Sequence, residues 1–175
     1  YTSLVKEEIL RLTSGEFNVL FPADKNVHGS WKTAKIKSAI DALLADPKVD
    51  LVIGLGFLAS NDLCHRKKLP KPVIAAAVID RELQNIPFRD GASGVKNLTY
   101  IDPFFSYERD ITVFRQMVPF RNLVVLISKT ATESIPWIGK KLREVSYEHT
   151  IDIHVVEVDF SAEEALAAFP PETDA

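Results

Sequence analysis

Two uniformly apolar runs, Leu51–Leu55 and Val73–Ile79, are the feature that most constrains the fold of this chain. A more polar segment of helical length separates them. A strand with one solvated face alternates apolar and polar residues, whereas a strand covered on both faces is apolar throughout. The pattern therefore predicts two neighbouring strands of a buried parallel sheet that are joined by a helix.

The rest of the chain continues this alternation of strand-like and helix-like segments. Further strands are predicted at Phe17–Phe21, Leu98–Ile101, Leu123–Ser128 and Ile151–Val158. Helices are predicted at Thr2–Thr13, Trp31–Ala45, Ser60–Arg66, Phe105–Val118, Glu133–Ser146 and Ser161–Phe169. Strands that alternate with helices form βαβ units, so we predict an α/β fold with a mostly parallel sheet and helices on both faces.

A domain boundary is predicted near Pro119-Phe120, where the βαβ pattern restarts. Residues 1–119 then form a first α/β lobe, residues 120–169 begin a second lobe as β-α-β-α, and residues 170–175 form a frayed tail. The chain begins with Tyr1 directly before a helix-like pattern, and its one methionine is Met117. We therefore expect further residues to precede Tyr1 in the parent protein.

Composition and charge argue against several classes of protein. The chain has 21 basic and 24 acidic residues, a net charge of −3, whereas nucleic-acid binders usually carry a basic excess. Cys64 is the only cysteine, which excludes an intrachain disulfide, and the four histidines are scattered without metal-ligand spacing. We accordingly expect no nucleic-acid partner, no metal and no cofactor.

Candidate binding residues lie where the predicted strands end, because open α/β sheets bind ligands at the carboxyl ends of their strands. After the first apolar run, backbone N–H groups near Gly56 and Ala59 can hold an anion, and Ser60 and Asn61 can add side-chain hydrogen bonds. The other candidates are Asp80, which ends the second run, and Ser128, which ends a later strand. The structural alternative is that Ser60 and Asn61 cap a helix and that Asp80 caps a turn.

The segment from Gly54 to Ala59 also matches the dinucleotide-binding pattern G-x-G-x-x-A. The acidic residue expected further along the chain would then be Asp80. The predicted helix after this turn is short and polar, which argues against a nucleotide. For catalysis, Cys64 and His65 are sequence neighbours and would point apart on a helix, so we predict that the chain is not an enzyme.

Four segments occur in an order that resembles a known family. They are VDLVIGLGFLAS, LPKPVIAAAVID, GVKNLTYI and ERDITVFRQMVPFRNLVVLIS, and the resemblance extends from the first helix to about Val158. This order is similar to that of the substrate-binding proteins of ABC transporters, of the type that includes binders of aromatic amino acids. In that family a proline and a glycine are common at the positions occupied here by Arg81 and Tyr100.

The resemblance implies a type I periplasmic-binding-protein fold, in which two flavodoxin-like α/β lobes surround a cleft. Residues 1–119 would be the first lobe without its opening strand. The implied function is an extracytoplasmic, periplasmic solute-binding domain of an ABC-type transport or sensing system. Its partners would be a small polar or amino-acid-like solute and a membrane transporter or efflux component.

Two other functions stay open at this point. One is a protein-interaction domain of an export or efflux assembly that binds no small molecule, since bulky Arg81 and Tyr100 would fill a cleft. The other is a nucleotide-binding enzyme domain that uses the turn at Gly54. A homodimer is a further alternative, in which two copies associate or exchange elements because a single copy would supply an incomplete pair of lobes.

Overall fold

The computed structural model describes residues 2–102, 106–159 and 161–175. The helices are α1 (Thr2–Thr13), α2 (Thr33–Ala45), α3 (Phe57–Cys64), α4 (Tyr107–Met117), α5 (Lys129–Ser134), α6 (Ile138–His149) and α7 (Ala162–Ala167). The strands are β1 (Val52–Gly54), β2 (Val73–Ala75), β3 (Leu98–Tyr100), β4 (Asn122–Ser128) and β5 (Asp152–Val158). Within these described ranges, no helix is both long and apolar enough to span a bilayer.

The first sheet consists of three parallel strands in the order β1-β2-β3. Val52 of β1 pairs with Val73 of β2, which pairs in turn with Leu98 of β3. These three side chains are buried in one core with Ile40 of α2 and Leu63 of α3. The predicted α/β class and its parallel strands are therefore confirmed.

The second sheet consists of the parallel pair β4-β5, whose register runs from Asn122 opposite Asp152 to Ser128 opposite Val158. Ile127 of β4 packs against Ile135, between α5 and α6, and against Leu142 of α6. Leu83, from the segment after β2, is buried in the same cluster. The two sheets are thus joined by shared apolar packing as well as by the chain.

Residues 17–21 do not form the strand that their apolar sequence predicts. The side chains of Phe17 and Leu20 are 68% and 72% exposed, and the segment pairs with none of the described strands. A strand needs a hydrogen-bonding neighbour, and the sheet ends at β1 on this side. An apolar sequence favours burial in a sheet, but a strand forms only where an adjacent strand is available for hydrogen bonding.

The single helix predicted at Glu133–Ser146 is wrong, because it is divided around Pro136. Helix α5 ends at Ser134, and Ile135 has φ −126° and ψ 77°, outside the helical region. A proline disfavours helical geometry at the residue before it, so α6 starts afresh at Ile138.

The last residues of the chain, for which a frayed tail is predicted, hydrogen-bond to β4 and to the residue before it. One carboxylate oxygen of Asp174 accepts hydrogen bonds from the N–H groups of Arg121 and Asn122, both at 2.9 Å. Val124 then donates to the carbonyl of Ala175 at 2.8 Å. These backbone N–H groups hold the pKa of Asp174 below its usual value. The last two residues thus accept hydrogen bonds from N–H groups on the edge of β4, which an unpaired strand would leave to solvent.

Lys71 fixes the end of α2, and we expect Lys71→Met to lower the free energy of unfolding by about 2 kcal/mol. Its Nζ donates to the carbonyls of Leu43, Asp46 and Val49 at 3.3, 2.5 and 2.6 Å. Methionine keeps most of the apolar stem but leaves three part-buried carbonyls without this donor. Urea denaturation measures the loss, with the exposed Lys67→Met as the control; equal losses in both variants would contradict the role.

Candidate functional site

Of the predicted binding residues, Gly56, Ala59, Ser60 and Asn61 follow β1, Asp80 lies in the segment after β2, and Ser128 ends β4. Ser60 and Asn61 do not have the predicted role of helix caps. Helix α3 starts at Phe57 behind the N-cap residue Gly56, so Ser60 and Asn61 lie inside the helix rather than at its cap. Both residues are buried. The helix predicted at Ser60–Arg66 therefore begins three residues earlier, at Phe57, and ends two residues earlier, at Cys64.

Ser60 connects β1 to the segment after β2 through its hydroxyl group. Its Oγ donates to the carbonyl of Gly54 at 2.9 Å and accepts from the N–H of Ala77 at 3.0 Å. The side chain is fully buried. Its donor and one acceptor position are thus engaged within the protein, where an unpaired hydroxyl would be destabilising.

Gln84 joins Asn61 to the turn after β2, and sequence reasoning did not single it out. Its Oε1 accepts from the N–H groups of Ile79 and Asp80 at 2.7 and 3.2 Å. Its Nε2 donates to Asn61 Oδ1 at 3.3 Å. Asn61 Nδ2 in turn donates to the carbonyl of Ser134 at 3.1 Å, which reaches the second half of the chain.

Asp80 closes the same buried network at its other end. Its Oδ1 accepts from the N–H of Leu83 at 2.8 Å, as expected of a turn cap. Its Oδ2 accepts from the N–H of Tyr107 at 2.9 Å, at the start of α4. Both carboxylate oxygens therefore hold backbone groups of this chain.

The structure brings together Asn61 and Asp80 through Gln84, with Ser60 on the same helix as Asn61. We call Asn61, Asp80 and Gln84 the buried amide network. Ser128 is separate from it in its hydrogen bonding, since its Oγ caps α5 by accepting from Ala131 N–H at 3.2 Å. The ligand-binding roles of Ser60, Asn61, Asp80 and Ser128 stay predictions.

Gly56 and Ala59 line a cavity of about 480 Å³ between α2, β1 and the start of α3. We call it the β1 cavity. Apolar side chains of α2 form part of its wall, including Ile36 and Ile40. The remaining predicted residues, Ser60, Asn61, Asp80 and Ser128, are not among those that line it.

The loop of residues 25–31 forms the rim of the β1 cavity and brings polar side chains to it, including Asn26 and His28. Ser30 and Trp31 have φ of 50° and 58°, in the left-handed region that side chains other than glycine rarely adopt. Both residues are exposed.

The first turn of α3 presents backbone N–H groups at this cavity. A helix leaves its first N–H groups without intrahelical acceptors, and the N-cap residue Gly56 has no side chain to accept from them. Phe57, Leu58 and Ala59 all line the cavity. An anionic group placed there would gain hydrogen bonds and the favourable end of the helix dipole.

Arg81 and Tyr100, which stand where the resembling family has smaller residues, pack on this chain's own groups. Arg81 Nη1 lies 3.0 Å from Asp102 Oδ2, and its guanidinium carbon lies 4.0 Å from the ring centroid of Phe88. The Tyr100 hydroxyl donates to the carbonyl of Pro87 at 3.0 Å. The side chains of Arg81 and Tyr100 are therefore engaged with other residues of this chain.

Other chemistry in the described part of the chain is limited. Among residues 2–102, 106–159 and 161–175, no three His, Cys, Asp or Glu side chains are grouped to hold a metal ion. Burial raises the pKa of the Cys64 thiol to about 12, so the thiol is protonated at neutral pH. Comparison of the chain with family models, with curated proteins and with solved structures found no match.

Proposed function

We propose that the chain is an extracytoplasmic solute-binding domain of an ABC-type transport or sensing system. The observation that carries the proposal is the β1 cavity, which contains Gly56 and Ala59 of the predicted site. The ligand would be a small amino-acid-like molecule whose carboxylate is held by the first turn of α3. A membrane transporter or efflux component would then receive the solute or respond to it.

The dimensions and lining of the cavity support a small organic ligand. Its volume of about 480 Å³ lies in the range of natural ligand pockets, which are largely apolar with a few placed polar groups. Here Ile36 and Leu43 offer an apolar wall, while the N–H groups after Gly56 and the side chain of His28 supply polarity. A solute with one carboxylate and one apolar part matches this distribution.

A thermal-shift screen of the whole chain tests the proposal. The probes are the standard amino acids, small organic acids such as benzoate and succinate, and the nucleotides NAD and ATP. We expect carboxylate solutes to raise the Tm, because a ligand that binds only the native state stabilises it. Stabilisation by nucleotides alone would contradict solute binding and support the nucleotide-binding alternative.

Gly56→Asp is expected to weaken binding of a carboxylate solute by about tenfold or more, equivalent to about 1.4 kcal/mol. The new carboxylate would accept from the first-turn N–H groups and repel the ligand. The fold should tolerate it, because Gly56 is extended at φ −104° and an added Cβ would meet no atom within 4 Å.

Ser161→Asp is the matched control for this variant. It makes the same change in net charge, and it also places a carboxylate at an N-cap, where Ser161 Oγ now accepts from Glu164 N–H. Calorimetric titration should show unchanged affinity in this control. If the affinity for the solute falls equally in both variants, or does not fall in Gly56→Asp, then α3 does not hold the carboxylate.

The second candidate is a protein-interaction domain of an export or efflux assembly. It is favoured by the self-contained packing of Arg81 on Asp102 and of Tyr100 on Pro87, which leaves these positions filled. No Tm response to any probe, together with retention of a purified transport component on the immobilised chain, would support this function over solute binding.

A further inference from the structure

The titratable side chains around the β1 cavity are basic. Among the described residues that line it, these side chains are Lys25 and His28. The other lining side chains are apolar or uncharged, and they include the amide of Asn26 and the indole of Trp31. The described lining therefore offers a cationic ligand no carboxylate with which to pair.

Lys25 is paired with two acidic residues that lie outside this lining. Its Nζ lies 2.7 Å from Asp46 Oδ2 and 2.9 Å from Asp24 Oδ2. These contacts with Asp46 and Asp24 raise the pKa of Lys25 to about 12, so Lys25 is charged at neutral pH. Both carboxylates line a neighbouring cavity that shares Lys25 with the β1 cavity. They are thus engaged with a cation of this chain.

Two carbonyl groups where β1 meets α3 are also engaged within the protein. The carbonyl oxygen of Gly54 accepts from the N–H of Ala76 and from Ser60 Oγ, both at 2.9 Å. The carbonyl oxygen of Gly56 accepts from the N–H of Ser60 at 2.9 Å. The first turn of α3 presents N–H donors at the same place. This junction therefore suits a ligand group that accepts hydrogen bonds better than one that donates them.

An α-amino acid would bring an ammonium group to this junction. One carbon atom separates its ammonium group from its carboxylate, so both groups would lie beside the first turn of α3. The positive end of a helix dipole disfavours a cation. An ammonium group taken out of water without an anionic partner is also unfavourable. A carboxylic acid without an amino group avoids both effects.

The opposite wall of the site suits a hydrocarbon group. Ile36, Ile40 and Leu43 of α2 line the cavity, as does Leu63 of α3. Burial of apolar ligand surface against these side chains is favourable, whereas a second charged group there would lose its hydration. The lining therefore matches a ligand with a single negative charge at one end.

We infer that the solute is an apolar monocarboxylic acid that carries no amino group. Its carboxylate accepts hydrogen bonds from the first turn of α3, and its hydrocarbon part packs on Ile36 and Leu43 of α2. The inference rests on the proposed function, because it concerns the ligand of the same cavity. It narrows the amino-acid-like solutes to those that lack the ammonium group.

Calorimetric titration of the complete chain with matched pairs of solutes tests the inference. Isocaproate and leucine differ only by the α-amino group, and so do hydrocinnamate and phenylalanine. We expect each acid to bind its site about tenfold or more tightly than the corresponding amino acid. Phenyllactate, which has an uncharged hydroxyl in place of the ammonium group, separates charge from size. Its affinity should lie within about threefold of that of hydrocinnamate.

A variant of the lining tests the electrostatic cause. Asn26→Asp adds a carboxylate to the β1 cavity with little change in shape, at an exposed residue. It should reduce the preference for hydrocinnamate over phenylalanine by about threefold or more, because the new charge attracts the ammonium group and repels the acid. Asn18→Asp makes the same change in net charge at an exposed residue outside the lining. This control should leave the preference unchanged.

Two results would overturn the inference alone. One is binding of the amino acids as tightly as the acids, with the loss of affinity in Gly56→Asp retained, which would leave the proposed function standing. The other is a preference for the acids that Asn26→Asp leaves unchanged or that Asn18→Asp alters equally, since charge in the lining would then not be its cause. If neither the acids nor the amino acids bind, the proposed function fails together with the inference.

Discussion

Gln84→Ala is expected to lower the free energy of unfolding by about 3 kcal/mol. The substitution would leave the N–H groups of Ile79 and Asp80 without their shared acceptor and Asn61 Oδ1 without its donor. Gln84 is fully buried, so water cannot replace it without rearrangement. The loss should exceed that of one hydrogen bond because the buried amide network acts as a unit.

Urea denaturation followed by circular dichroism measures this effect, and the exposed neighbour Glu82→Ala is the control. Gln84→Glu supplies a second measurement, because it keeps the shape and the acceptor Oε1 but replaces the Nε2 donor to Asn61 with a second oxygen. We expect it to be destabilising at neutral pH, where a buried carboxylate is also unfavourable. A loss below about 1 kcal/mol in Gln84→Ala would show that the network does not stabilise the fold.

The hydrophobic pattern located the central strands well but misjudged how far they extend. The run predicted as one strand from Val73 to Ile79 pairs in the sheet only through Ala75, although Val78 beyond it is also buried in the core. Apolar sequence reports burial, and burial does not require a hydrogen-bonded neighbour. For the same reason Phe17–Phe21 resembles a strand in sequence and remains unpaired.

The polar residues at the strand ends show a second limit of sequence reasoning. Asn61 and Asp80 were both predicted at the carboxyl edge of the sheet, and the structure links them through Gln84. Sequence shows that a polar group stands at a strand end, but not whether its partner is a ligand or the protein itself. Gln84 lies in an irregular segment whose conformation no periodic pattern describes, so its four-residue spacing from Asp80 gave no usable signal.

Gly54→Ala is expected to lower the free energy of unfolding by about 2 kcal/mol, and Leu63→Ala by about 3 kcal/mol. A Cβ added at Gly54 would lie 2.8 Å from Leu63 Cδ1, too close for undisturbed packing. Leu63 is fully buried in the core, so shortening it would leave a cavity at that point. The two substitutions therefore have opposite steric effects at one contact.

The double variant Gly54→Ala/Leu63→Ala should lose less stability than the sum of the single variants, with a coupling of about 1 kcal/mol or more. The added methyl would enter the space vacated by the leucine, although the backbone of Ala59 at 3.4 Å would still limit the fit. Gly54→Ala combined with Leu142→Ala is the control, because Leu142 belongs to a different core cluster. Its effects should add, since distant sites without shared partners are independent. Urea denaturation measures the free energies of unfolding. If the losses add in both double variants, the close packing of α3 on β1 does not require glycine at position 54.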